Sequence, residues 1–259
     1  MAIRKIGVTS TSFAMPFDKM LPLAKEMGIE GVQLWGVGGE HDAKTLTRDD
    51  RLRLLDKIHS YGMVVTALCA EVGGFTNPET VQDNLDKARA VVDMAVDMNV
   101  RVISGHVGVI AENPADPGRM CMAKAMTEFG YYCEDRGKVY ASETGPESIE
   151  LMREFIDALP HKAIKLNYDP ANLVMKGFNP VKGVLVGREL IVHTHVKDGV
   201  RYMNGSSEEV VVGTGQVPFG EYFLALEAVG YDGYFTIERE VGDNRVADIR
   251  AAINVLQTL

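Results

Sequence analysis

A short apolar run followed by a longer amphipathic stretch, repeated along the chain, constrains the fold more than any other feature. Eight runs read as strands: IGVTS (6–10), GVQLW (31–35), VVTALC (64–69), RVISGH (101–106), VYASE (139–143), IKLNYD (164–169), IVHTHV (191–196) and YFTIE (234–238). They are β-rich and short, and most are closed by Gly, Pro or a polar residue. Between them the apolar spacing predicts helices over 18–28, 47–62, 78–99, 119–137, 146–160, 219–233 and 243–259. The first two end on a glycine stop, and the third opens on Pro with acidic or capping residues. The stretch 170–190, with Gly177, Gly183 and Gly187, is the least regular. Strands alternating with helices imply parallel crossovers, and eight such units close naturally into a barrel. An open doubly wound sheet would carry a Gly-rich phosphate loop after its first strand. Here that segment reads TSTSFAMPF. The expected architecture is therefore α/β, one (β/α)8 TIM barrel domain over residues 1–259.

Composition narrows the function classes. The net charge of −9 argues against general nucleic-acid binding, which needs a basic face for the phosphates. Cys69, Cys121 and Cys133 make an odd count with no CxxC spacing, which fits reduced thiols and no cysteine-based zinc site. The N-terminus MAIRKIGVTSTSF lacks the apolar core of a signal peptide, and no apolar stretch approaches the roughly 20 residues of a membrane span. A soluble, cytoplasmic protein without membrane association is expected.

In a barrel of this kind the chemistry sits at the C-terminal ends of the strands. Those ends carry Glu71, His106, Glu143, Asp169, His195 and Glu238 on six consecutive strands. Any one of them alone reads as a loop or turn residue. Crowded on one rim, unpaired carboxylates repel one another, and a divalent cation is the ordinary remedy. Two Glu, one Asp and one His form an oxygen-rich set with a single imidazole, suited to Mn²⁺ or Mg²⁺ and a poor match for structural zinc. His193 and His195 are two apart, so on a strand both point to one face.

The motifs SETGP (142–146), NYDPAN (167–172), HTHVKDG (193–199) and GYFTIERE (233–240) resemble those of the sugar isomerase and epimerase barrels related to xylose isomerase and endonuclease IV. The resemblance covers nearly the whole chain and is strongest in its C-terminal half. It implies one divalent ion, Mn²⁺ before Mg²⁺, Co²⁺ or Zn²⁺, held by Glu143, Asp169, His195 and Glu238. The second histidine of an HxH pair is the usual ligand in the family, which leaves His193 deeper, as packing or support. Glu240 shares the face of Glu238; Glu238 is preferred because it directly follows the apolar run YFTI.

The resemblance further implies that Glu143 and Glu238 act as paired acid and base, through an enediolate, on a small sugar, cyclitol or hydroxy-keto acid. Arg201, six residues after His195, matches a substrate-binding arginine of similar epimerases, and His106 matches a strand-four histidine. Lys197 points with His195 and could stabilise developing negative charge. Trp35 could stack on a sugar face, and Glu71 and Asn172 complete the expected substrate shell. Two departures bear on substrate. Sugar 3-epimerases carry a histidine where Asn172 stands, and their second glutamate lies farther from the metal Glu than Glu147 lies from Glu143. A dehydratase of the inosose or dehydroshikimate type is the alternative on the same platform. Abasic-site cleavage needs a three-zinc cluster, and 200–220 offers no DxH pair for it; a non-catalytic barrel is at odds with the complete ligand set. In VGTGQVPF (212–219), Gly213 and Gly215 could let backbone approach a substrate oxygen, although a plain turn is the simpler reading. A homo-oligomer, dimer or tetramer, is expected.

Overall fold

The computed structural model describes residues 4–259. Eight parallel strands close into a barrel: β1 (Ile6–Thr9), β2 (Gly31–Trp35), β3 (Val64–Cys69), β4 (Val102–Gly105), β5 (Val139–Glu143), β6 (Ile164–Tyr168), β7 (Ile191–Val196) and β10 (Phe235–Ile237). Closure is made by β1 against β10, with Ile6 opposite Phe235 and Val8 opposite Ile237. Two further strands, β8 (Asp198–Arg201) and β9 (Ser207–Val210), form an antiparallel hairpin after β7. The sequence predicts no strand in this segment; its register pairs Asp198 with Val210 and Arg201 with Ser207.

The helices are α1 (Phe17–Glu26), α2 (Arg48–Ser60), α3 (Val81–Asp97), α4 (Pro117–Asp135), α5 (Ile149–Asp157), α6 (Pro170–Lys176), α7 (Pro180–Gly187), α8 (Phe219–Ala228) and α9 (Arg245–Thr258). Their starts follow local chemistry. Thr47 and Asp50 make a capping box at α2, and Asp116 and Ser148 cap α4 and α5 through backbone N–H groups. Helix α3 begins at Val81, later than the Pro78 the sequence suggested. The irregular stretch 170–190 resolves into α6 and α7, each begun by a cap followed by proline, Asp169–Pro170 and Asn179–Pro180. None of the helices among the described residues is long and apolar enough to cross a membrane.

Two apolar clusters divide the interior. The large one fills the shell between strands and helices and includes Leu34, Ile103, Tyr140, Leu166, Phe223 and Ile237. The small one, Ala67, Val102, Val139 and Ala141, lies inside the barrel. Ala141 and Val139 stand two and four residues before Glu143, so they share its inward face. The floor of the lumen is thus small and apolar, and its mouth is polar.

Candidate active site

Each strand-end residue sits one pleat above another inward-facing side chain. Gln33 precedes Trp35, Ser104 precedes His106, Asn167 precedes Asp169, His193 precedes His195 and Thr236 precedes Glu238, all by two positions. This lower polar layer supports the upper one. His193 Nδ1 lies 2.9 Å from Asn167 Oδ1, and its Nε2 lies 3.2 Å from Thr236 Oγ1. Burial and the neighbouring His195 push His193 down to about 3, so it is a neutral imidazole.

Above that layer, Glu143, Asp169, His195 and Glu238 bring one ligand atom each to within 4.8 Å of one another. His195 Nδ1 lies 3.1 Å from Glu238 Oε2, 3.5 Å from Glu143 Oε1 and 3.8 Å from Asp169 Oδ2. Asp169 is placed by the turn that starts α6. Its Oδ1 accepts the N–H groups of Ala171 and Asn172 at 2.8 and 3.1 Å, which leaves Oδ2 facing the cluster. Glu143 is held by two amides: Asn172 Nδ2 donates to Oε1 at 3.1 Å and Asn167 Nδ2 donates to Oε2 at 3.2 Å.

Asp169 Oδ2 and His195 Nδ1 are buried without a hydrogen-bond partner. An orphaned buried polar atom costs roughly 1–3 kcal/mol, so two converging on one point call for a common partner. Two ligands each about 2.1 Å from a single ion stand roughly 3–4 Å apart, close to the spacing here. The donor set therefore fits one divalent cation. In the metal-free protein, burial opposes a charge on His195, but Glu238 and Glu143 outweigh it and raise its pKa well above the ordinary value. Burial likewise opposes ionisation of Glu238, but His195 and Lys197 hold its carboxyl well below the usual range.

Lys197 is 4% exposed, with Nζ 3.1 Å from Glu238 Oε2 and 3.7 Å from Asp169 Oδ2. It also pairs with Glu240, which stands outside the four-ligand cluster and is exposed. Burial disfavours the ammonium, but the carboxylates keep it charged far above the ordinary lysine range. His106 flanks the other side. Its Nδ1 lies 2.7 Å from Glu71 Oε2, and its Nε2 is 3.9 Å from Glu143 Oε1. Burial would lower its pKa, yet Glu71 and Glu143 raise it to about 9. Trp35, half-buried, lines a cavity of about 470 Å³ with Ser10, Met15, Phe17 and His41, formed by the loops after β1 and β2 on the same rim.

Arg201 is not brought to this cluster. It ends β8, is exposed, and its guanidinium lies over Gly177; no ion pair among the described residues includes it. The glycines of VGTGQVPF also serve the chain itself. Asp198 accepts the N–H groups of Gly199, Gly213, Gly215 and Val217 at 2.8–3.1 Å. A Cβ on Gly215 would meet Asp198 Oδ1 at 2.3 Å, which is why glycine is needed there. Gln33, Ser104, Asn167 and Thr236 escaped the sequence reading. Stepping back two positions from each strand end would have found them.

The family model for the xylose isomerase-like TIM barrel matches residues 21–259. The chain belongs to that family. It is 22% identical to fructoselysine 3-epimerase of Shigella flexneri, over 86% of this chain and 85% of the relative. It is 29% identical to inosose dehydratase of Geobacillus thermodenitrificans over 38% of this chain and 37% of that protein. Among solved structures it is similar to a xylose isomerase domain protein from Planctomyces limnophilus, with a TM-score of 0.85 and 24% identity, covering 98% and 96% of the two chains.

Proposed function

We propose that the protein is a divalent-metal-dependent isomerase or epimerase of a sugar or sugar-like hydroxy-ketone, with Glu143 and Glu238 as paired acid and base. The observation that carries this reading is the convergence of Glu143 and Glu238 on the orphaned Nδ1 of His195 and Oδ2 of Asp169. Similarity to a sugar 3-epimerase over most of the chain supports it. A bound ion, Mn²⁺ in this reading, would be held by Glu143, Asp169, His195 and Glu238, and would acidify the C–H beside a substrate carbonyl.

The chain's own groups then divide the work. One of the two glutamates takes the proton from that carbon, and the other returns one. Return on the opposite face inverts the centre; return at the neighbouring carbon moves the carbonyl. Lys197, charged and buried, stabilises negative charge developing on substrate oxygen. His106, charged at neutral pH and held by Glu71, donates its free Nε2–H to a hydroxyl or carbonyl oxygen. Asn172 orients Glu143, and Trp35 offers an apolar wall beside the site. Lumen residues Gln33 and Asn167 hydrogen-bond His195 and Glu143 from below.

The test is solvent exchange. Protein loaded with Mn²⁺ is incubated in D₂O with a panel of ketoses and keto-inositols and followed by NMR and mass spectrometry. An isomerised or epimerised product with deuterium beside the carbonyl is expected. The match to inosose dehydratase over part of the chain favours a second outcome, loss of water with a new enone absorbance, and that result would move the assignment to a lyase on the same site. A protein that takes up no divalent ion and exchanges no proton would overturn the reading.

A further inference from the structure

We propose that Gln33 is a positioning residue that fixes the tautomer of His195 and so makes the four-ligand cluster competent for a cation. The proposal rests on the metal-site reading above and adds to it a residue from a strand that supplies no ligand. Gln33 is 3% exposed on β2, and its Oε1 lies 3.0 Å from His195 Nε2. Its own Nε2 donates to Ser104 Oγ at 3.0 Å.

A neutral imidazole carries its one proton on either nitrogen. His195 can present Nδ1 beside Glu143, Asp169 and Glu238 only if that proton sits on Nε2. In a fully buried site a proton on Nε2 needs an acceptor, and the Gln33 carbonyl oxygen is placed to be one. Asn167 Nδ2 approaches the same nitrogen at 3.3 Å and, as a donor, would favour the opposite tautomer. One of the two hydrogens of that amide goes to Glu143 Oε2 at 3.2 Å, and the Gln33 contact, at 3.0 Å, is the shorter of the two on His195 Nε2. Ser104 completes the arrangement by taking the Gln33 NH₂ group, which turns Oε1 toward His195. An amide also suits the site better than a carboxylate, because it accepts the proton without adding a further negative charge to a lumen already holding Glu143, Asp169 and Glu238.

The experiment uses the full chain and Zn²⁺ or Mn²⁺ alone as probe. Calorimetric titration of wild type, Gln33→Leu and Gln33→Glu should show affinity falling about 10- to 100-fold in Gln33→Leu and retained in Gln33→Glu, which keeps an acceptor. Thermal unfolding of the metal-free proteins serves as the control for a merely structural role. ¹⁵N NMR of labelled histidines in the Zn²⁺-loaded wild type requires no variant to fold. It should show Nε2 of His195 bearing the proton. Unchanged affinity in Gln33→Leu, or a loaded His195 with no proton on Nε2, would sink the proposal and leave the metal site standing. Wild type that binds neither ion would instead remove the metal-site reading itself.

Discussion

On β6, Ile164, Leu166 and Tyr168 lie in the apolar shell beneath the helices, while Asn167 and, just past the strand, Asp169 face the lumen. The same division runs through β10, with Phe235 and Ile237 outside and Thr236 and Glu238 inside. It also runs through β2, with Val32 and Leu34 outside and Gln33 inside. The outer face is hydrocarbon and makes the barrel stable; the inner face near the mouth is a hydrogen-bonded polar network that sets up a site. The difference teaches that stability and function are encoded on alternate residues of the same strands. A one-residue slip in register would exchange them.

Substitutions confined to one face should separate the two roles. The largest effect belongs to the lumen. Glu238→Gln and Glu143→Gln should each lower turnover of whatever substrate the D₂O panel reveals by about 10²- to 10⁴-fold, read as loss of deuterium incorporation. Their thermal stability should stay near that of wild type. If either variant keeps its exchange rate, the paired roles are wrong.

On the outer face, Phe223, fully buried against Tyr222 and Phe235, should behave oppositely. Phe223→Ala is expected to cost about 3–5 kcal/mol of stability in denaturant titration. The folded fraction should still bind a divalent ion as wild type does. A large loss of affinity in that fraction would show that the two faces are energetically coupled.

Glu147 tests the boundary between them. It is buried just after β5, next to a cavity lined by Ile110, Leu151 and Phe178, and its Oε2 has no partner. Burial raises its pKa to about 7. For an acid whose folded pKa is raised, the folded state prefers the protonated form. The charged form therefore costs stability as pH climbs from the unfolded value near 4.5 through about 7. Glu147→Gln removes that cost. Its stability relative to wild type should be higher at pH 8 than at pH 5, by up to about 3 kcal/mol, since one pKa unit corresponds to roughly 1.4 kcal/mol. Equal differences at both pH values would show that Glu147 ionises freely.

The smallest effect is expected at the loop before α8. Asp198→Asn keeps one acceptor oxygen and loses the charge that gathers four backbone N–H groups. A loss of about 1–3 kcal/mol, with unchanged metal affinity, should appear in thermal unfolding. Reduced affinity would mean that this loop helps to hold the rim after β7.

Much of this arrangement was legible before any fold was known. The short apolar runs and the glycine and proline signals at the helix ends mark where strands and helices lie, because both depend on residues close in the chain. The rim residues Glu143, Asp169, His195 and Glu238 were visible as polar side chains closing apolar runs. Less was legible where a short segment could take more than one form. In residues 198–210, SSEE and the flanking glycines lack strand character, yet they pair as a hairpin that sets the Arg201 guanidinium beside Gly177.

The sequence by itself determined the alternation of strand and helix, and with it which residues stand at strand ends, since burial period and capping are local properties. Only the tertiary structure decided which atoms meet. Gln33 and His195 are 162 positions apart and come within 3.0 Å because closing the sheet turns both side chains into one narrow lumen. The choice of His195 nitrogen, the free oxygen of Asp169 and the pairing of Lys197 with Glu238 follow from hydrogen bonds that exist only once the barrel is closed.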